Sequence, residues 1–219
     1  EAALRSISDA PIRFLINTHY HADHTDGNAV FGHKTTIIAH DNTRTRMAAG
    51  QGKDHPPAPA SALPIITFAD TLSVHLNGED IRAVHFPSAH TDTDVVIFFP
   101  TSNVVHLGDE FFNGMFPFID IDGGGSVKGL IANLTKLLPQ LPAGAKLIPG
   151  HGPVATAKEL RAFLAMLEQT TAFVEAGIKA GKTLEQLKQD KSLARYDSWA
   201  KGFFKTPEFI EMLYKDLKR

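Results

Sequence analysis

The stretch Thr18-His19-Tyr20-His21-Ala22-Asp23-His24 places three imidazoles and one carboxylate within six positions, directly behind the apolar run Phe14-Leu15-Ile16. A spacing of two sets His19 and His21 on the same side of an extended segment, whereas Asp23 and His24 fall where the chain turns and can face a second point. That arrangement suits two metal ions rather than one. A lone His-x-His more often sits in a hydrogen-bonded loop; the full cluster is a stronger signal. Further donors recur in loops behind apolar runs: His90 beyond the run ending at Phe86, Asp109 after Val104-Val105-His106-Leu107-Gly108, and His151 after Lys146-Leu147-Ile148-Pro149-Gly150. The chain has no cysteine, so any metal is held by nitrogen and oxygen. Imidazoles with carboxylates suit Zn²⁺ best, with Fe or Mn also compatible.

Aromatic residues flank these donors. Tyr20, Phe112, Phe116 and Phe118 are candidates for an apolar substrate wall, with Asn113 offering a hydrogen bond, although such a run of aromatics more often serves a core. His33, His40, His55, His75, His85 and His106 read as surface or supporting residues, with His40 and His106 the best placed to brace a ligand.

The donors need a scaffold of strands. Phe14–Ile16 and Thr36–Ala39 read as buried strands on either side of the His-rich loop. Asp41–Ala49 reads as a short helix capped by Asp41 and ended by Gly50, and Pro56, Pro57, Pro59 and Pro64 enforce an extended surface loop. Thr71–Leu76 and Asp80–Phe86 flank Asn77-Gly78, a hairpin signal because both central residues of a type I′ turn need positive φ. Val95–Phe99 and Val104–Leu107 are further strands, and Ser126 caps a helix carrying Val127, Leu130, Ile131, Leu134 and Leu138 at helical spacing. From Thr156 the pattern becomes helical. Thr156 with Glu159 and Thr183 with Gln186 form capping boxes, the first opening a long helix through about Glu175, and Thr206-Pro207 starts a last helix striped by Phe209, Ile210, Leu213, Tyr214 and Leu217.

Composition excludes several classes. With 219 residues, 43% hydrophobic and 21% charged, the chain can bury a sizeable core and is neither disordered nor a coiled coil. Its net charge of −2 recruits neither nucleic acid nor an anionic membrane, so a small-molecule substrate is expected. No apolar run approaches the roughly 18 residues of a membrane span, and no leader pattern opens the chain, which begins at Glu1 within what reads as the end of a helix.

The segment His19–His24 resembles the His-x-His-x-Asp-His signature of the metallo-β-lactamase superfamily. Ala89-His90-Thr91-Asp92, Leu107-Gly108-Asp109 and Pro149-Gly150-His151-Gly152 are similar to its later metal motifs, in the same order. The resemblance runs from about Pro11 to Val154 and implies an α/β fold, an αββα sandwich of two mixed sheets flanked by helices. Residues 1–154 would form the metal-binding domain, incomplete at the amino terminus because only eighteen residues precede the His-rich loop, and 155–219 a helical extension packed on it. Absent strands imply either a longer native chain or a second copy, which leaves room for a homodimer. The resemblance assigns His19, His21 and His90 to one Zn²⁺, Asp23, His24 and His151 to another, and Asp109 to a bridging position. It implies hydrolysis in which a dinuclear zinc-bound hydroxide opens a carbonyl substrate, with Asp23 orienting it or carrying a proton.

A β-lactam-like amide is the first expectation, from the class B likeness of Phe86–Pro100. Class B enzymes most like this region carry Cys where Asp109 stands; thioesterases of the glyoxalase II type and quorum-quenching lactonases carry Asp. A mono-iron persulfide dioxygenase is a further alternative, whereas di-iron reductases place Glu where His21 stands. Nucleic-acid phosphodiester cleavage would want a basic stripe that is absent here, and a non-catalytic binding module would follow if the missing strands were truly lacking. The tail around Tyr196–Trp199 and Lys201–Phe203 is similar to that of bacterial, exported members, which implies a periplasmic or secreted protein and otherwise a cytoplasmic one.

Overall fold

The computed structural model describes residues 2–50 and 56–219, so His55 lies outside the described residues. The chain divides into two compact units, Glu1–Ala69 and Asp70–Arg219.

The first unit runs α1 (Ala2–Arg5), β1 (Phe14–Ile16), α2 (Ala22–Thr25), α3 (Asn28–Phe31), β2 (Thr36–His40), α4 (Asp41–Ala49) and β3 (Ile66–Phe68). Its sheet has the order β1-β2-β3 with both pairings parallel. Two mixed sheets were expected; this one is wholly parallel among the described residues, because each connection between its strands is helical and returns the chain to the same end. The central strand is consequently the apolar one, with Ile37, Ile38 and Ala39 almost fully buried. The cap of α4 lies one residue before the expected Asp41: His40 accepts from Asn42 N–H through Nδ1 at 3.2 Å and donates from Nε2 to the Ala69 carbonyl at 2.9 Å. Gly50 ends α4 with φ of 76°.

The second unit contains β4 (Thr71–Leu76), β5 (Glu79–His85), β6 (Val95–Phe99), β7 (Val104–Phe112), α5 (Val127–Leu137), β8 (Lys146–His151), α6 (Ala157–Lys179), α7 (Leu184–Gln189) and α8 (Thr206–Leu217). The sheet order is β4-β5-β6-β7-β8, antiparallel throughout except for the parallel pair β7-β8. Asn77 and Gly78 both have positive φ, as their hairpin requires. β7 runs five residues beyond the expected Val104–Leu107, and Gly108, with φ of 51°, sits in a register shift against β8.

The helical tail is not a separate layer with its own core. Leu160, Phe163 and Leu167 of α6 and Phe209 and Leu213 of α8 pack in one apolar cluster with Leu107 and Phe111 of β7 and Leu130 and Leu134 of α5. The compact division falls at Ala69/Asp70, and residues 155–219 lie in the same unit as β4–β8. Burial of each such side chain contributes about 1.5–3 kcal/mol, and the aromatic pairs Phe116–Phe209 (4.2 Å) and Phe111–Phe163 (5.4 Å) tie the tail to the sheet. Among the described residues, no helix is long and apolar enough to cross a membrane.

Candidate metal centre

In the first unit, the donors sit on the loop that leaves β1 and on α2. The chain continues the sheet for one residue through Asn17 N–H to the Ile38 carbonyl (3.0 Å) and then turns. Asn17 and Asn28 exchange side-chain amide bonds of 3.0 and 2.9 Å; Asn17 also donates to the His24 carbonyl at 3.3 Å and Asn28 to the Ala62 carbonyl at 3.0 Å. Thr25 Oγ1 donates to the carbonyls of Tyr20 and His21. These bonds fold the loop back on itself. The His21 ring lies edge-on to the buried His19 ring at 4.9 Å, and the His24 ring approaches it at 4.1 Å. His19 Nδ1 is hydrogen-bonded to Thr18 Oγ1 at 3.1 Å, an outer contact that fixes the ring and aims Nε2 as a ligand atom. His24 Nε2 stands 3.4 Å from Asp23 Oδ2, whose carboxylate is exposed.

In the second unit, His90 lies on the loop between β5 and β6. Asp94 holds that loop: it accepts from Thr91 N–H at 2.8 Å and from the Thr91 hydroxyl at 2.6 Å. The His90 carbonyl accepts from Asp120 N–H and the Ala89 carbonyl from Ser126 N–H, fastening the loop to the start of α5. His90 Nδ1–H donates to the Phe118 carbonyl at 2.7 Å and turns Nε2 toward Asp109. Asp109 follows the Gly108 irregularity of β7, where the bulged backbone re-aims the side chain, and His106 Nδ1 accepts from Gly108 N–H at 3.1 Å. His151 ends β8 with its ring stacked on Phe112 at 5.0 Å. Asp109 Oδ2 is 3.3 Å from His90 Nε2 and 3.4 Å from His151 Nε2.

Those separations discriminate between hydrogen bonds and shared ligation. A charge-assisted N–H···O⁻ bond has a length of about 2.7–2.9 Å, whereas two ligand atoms each about 2.1 Å from a tetrahedral ion stand about 3.4 Å apart. The pairing of Asp23 with His24 and both contacts of Asp109 match the second distance. Electrostatics agree. Burial pushes the Asp94 carboxyl up to about 8 despite its Thr91 hydrogen bonds, and burial followed by the Asp94 charge raises Glu110 well above the carboxylate range; the charge of Asp109 adds to both. Burial thus favours the protonated form of Asp94 and Glu110, and Asp109 is the acid of the three set against imidazole nitrogens. The donor sets therefore fit a metal.

The structure brings His19, His21, Asp23 and His24 together within the first unit, and His90, Asp109 and His151 within the second. The three residues expected to meet substrate are engaged otherwise. Phe116 is buried, stacked on Phe209 in the core, and Tyr20 is buried beneath the Arg46 guanidinium at 5.1 Å. The Asn113 amide donates to the Pro153 carbonyl at 2.9 Å and shapes the loop after His151. Two contributors had no sequence signal as such: Asp94, which reads as one acid among several in the loop, and Phe203, whose ring meets the His151 ring edge-on at 4.9 Å.

The chain is similar to several known proteins. Linear primary-alkylsulfatase of a Pseudomonas species is 22% identical over 94% of this chain and 48% of its own length. Hydroxyacylglutathione hydrolase of Nitrosococcus oceani is 29% identical over 63% of this chain and 47% of its own. The chain thus spans about half the length of these relatives. Among solved structures, a metallo-β-lactamase from Pontibacter korlensis superposes with a TM-score of 0.64 at 20% identity, covering 76% of this chain and 74% of that one. The family model of the metallo-β-lactamase superfamily matches residues 1–167, from before the His-rich loop to beyond His151. By this match over more than half of its length, the chain belongs to the metallo-β-lactamase superfamily.

Proposed function

We propose that this chain is a metal-dependent hydrolase in which His19, His21, Asp23 and His24 together with His90, Asp109 and His151 hold two divalent cations, Zn²⁺ by donor type. The observation that carries this reading is Asp109 Oδ2, set 3.3 and 3.4 Å from two imidazole nitrogens that other contacts have already aimed. Such ions lower the pKa of water toward 7 and polarise a carbonyl oxygen. The protein's part is to orient the donors: the Phe118 carbonyl, an acceptor only, takes the His90 Nδ1–H and leaves Nε2 as the ligand atom, and Thr18 Oγ1 hydrogen-bonds His19 Nδ1 and holds that ring in place. To Asp23, exposed beside His24, this reading gives the part of orienting the nucleophile or carrying a proton.

The substrate is a small molecule with an activated carbonyl. A β-lactam-like amide is the first reading, resting on the Phe86–Pro100 stretch and on the fold shared with a metallo-β-lactamase. Thioester or lactone hydrolysis is the second, favoured by Asp109 in place of a thiolate and by the likeness to hydroxyacylglutathione hydrolase. Export to the periplasm or medium belongs to the same reading.

The test is metal content by mass spectrometry on protein purified without added metal, with turnover of a chromogenic cephalosporin, a thioester and a lactone. Two zincs with cephalosporin turnover support the first reading, and two zincs with thioester or lactone turnover the second. One iron per chain, or a metal-loaded protein inert toward all three classes, overturns the hydrolase reading.

A further inference from the structure

Large apolar side chains left in water carry meaning when they collect at one place. Among the described residues of the Asp70–Arg219 unit, three such side chains are exposed: Phe118 at 37%, Val154 at 63% and Phe203 at 58%. Two of them stand at donors of the candidate metal centre, and the third follows one in sequence. The Phe118 ring is 6.0 Å from the His90 ring, the Phe203 ring is 4.9 Å from the His151 ring, and Val154 lies three residues beyond His151. Singly exposed hydrophobic residues are ordinary. Two whose rings stand against His90 and His151, on a unit whose other large apolar side chains apart from Val154 are buried or half-buried among the described residues, are a patch with a position.

Phe203 is also held outward by its surroundings. Its neighbour Gly202 is seated against Met115, where a β-carbon would come within 2.7 Å of the sulfur. On the other side Phe204 is half-buried against Phe118 at 6.0 Å. The segment is tied down by Phe116 N–H to the Trp199 carbonyl (3.0 Å), Lys205 to the Ala200 carbonyl (3.1 Å) and Thr206 to Asp197 (2.5 Å). Phe203 meets the buried Phe112 ring edge-on at 6.1 Å, yet more than half of its own surface stays in water beside His151.

We infer that Phe203, contributed by the helical tail, and Phe118 form the recognition surface for an apolar, aryl-sized substituent of the substrate, so that the preferred carbonyl compounds carry such a group rather than a small or polar one. The inference rests on the hydrolase reading of the same centre. Stacking or edge contact between such a substituent and the two rings would remove apolar surface from water beside the reacting carbonyl.

The test pairs equilibrium binding with turnover. Phenylacetate and acetate are titrated calorimetrically into the metal-loaded protein, and phenylacetyl and acetyl esters or thioesters are compared in kcat/KM. Wild type is expected to favour the phenyl compound by about tenfold in binding; Phe203→Ser abolishes most of that preference, and Phe203→Leu, still apolar, restores part of it. Retention of the full preference in both Phe203→Ser and Phe118→Ser overturns the inference. If no carbonyl substrate turns over, the hydrolase reading fails, and the binding ratio still decides whether the surface selects an apolar group.

Discussion

Gly150 lies so close to Asp109 that a β-carbon built on it would overlap the carboxylate oxygen Oδ1. Glycine at this position of β8 is what lets the carboxylate stand between His90 and His151. Gly150→Ala is therefore expected to displace the Asp109 carboxylate and to press on the Gly108 backbone beside it. Loss of a supporting contact of this kind costs about 10–100-fold in metal affinity or activity. Metal per chain, measured by mass spectrometry after dialysis, should fall in the variant; unchanged metal content would show that Asp109 is not a ligand.

Asn28 makes a second test, in the first unit. Its amide is paired with Asn17 in both directions and donates to Ala62, all without solvent access. Asn28→Ala leaves the Asn17 amide and the Ala62 carbonyl buried without these partners, at a cost of about 1–3 kcal/mol. Urea unfolding should show that loss, and metal affinity should fall with it because the same bonds fold the His19–His24 loop.

Such contacts mark where sequence reading succeeds and fails. The cap at Ser126, the boxes Thr156/Glu159 and Thr183/Gln186 and the Asn77-Gly78 turn are all present, because each is settled by residues within four positions. The cluster His19–His24 carries a local signal of the same kind, four donors within six positions behind β1, whereas Asp109 lies within β7 and not in a loop after it. The Asn17–Asn28 pair spans eleven residues across irregular chain, and no period predicts it. Phe116 and Phe118, two apart on a segment without regular structure, go to opposite environments, core and solvent. Phe203 reaches His151 only through the packing of the tail, which leaves no trace in local pattern.

Asp216 illustrates the same point energetically. From α8 its Oδ2 accepts Val127 N–H at 2.7 Å, so a residue 89 positions away completes the N-terminus of α5 that Ser126 begins to cap. A negative charge there also favours the helix dipole. Asp216→Ala should cost about 1–3 kcal/mol by leaving that buried N–H unpaired, and Asp216→Asn, which keeps an acceptor, should cost less. Thermal unfolding of the two variants side by side separates the bond from simple loss of packing.

The tail carries its own acid sensitivity. Glu211 of α8 hydrogen-bonds Lys188 and Lys215, each at 2.7 Å, and these two cations hold its carboxyl down at about 2. A carboxyl with a depressed folded pKa contributes stability that is complete above its unfolded value near 4.5 and is lost as pH falls toward 2. Lys188 is raised by the same bond, so the complementary loss appears only at strongly alkaline pH. Glu211 is about one-third exposed, so salt screens the pair and the effect is modest. Melting temperature followed from pH 7 downward should therefore fall more steeply below about pH 4.5 in wild type than in Glu211→Gln, and high salt should narrow the difference. Parallel acid limbs for the two proteins would mean that Lys188 and Lys215 do not hold this helix end in solution.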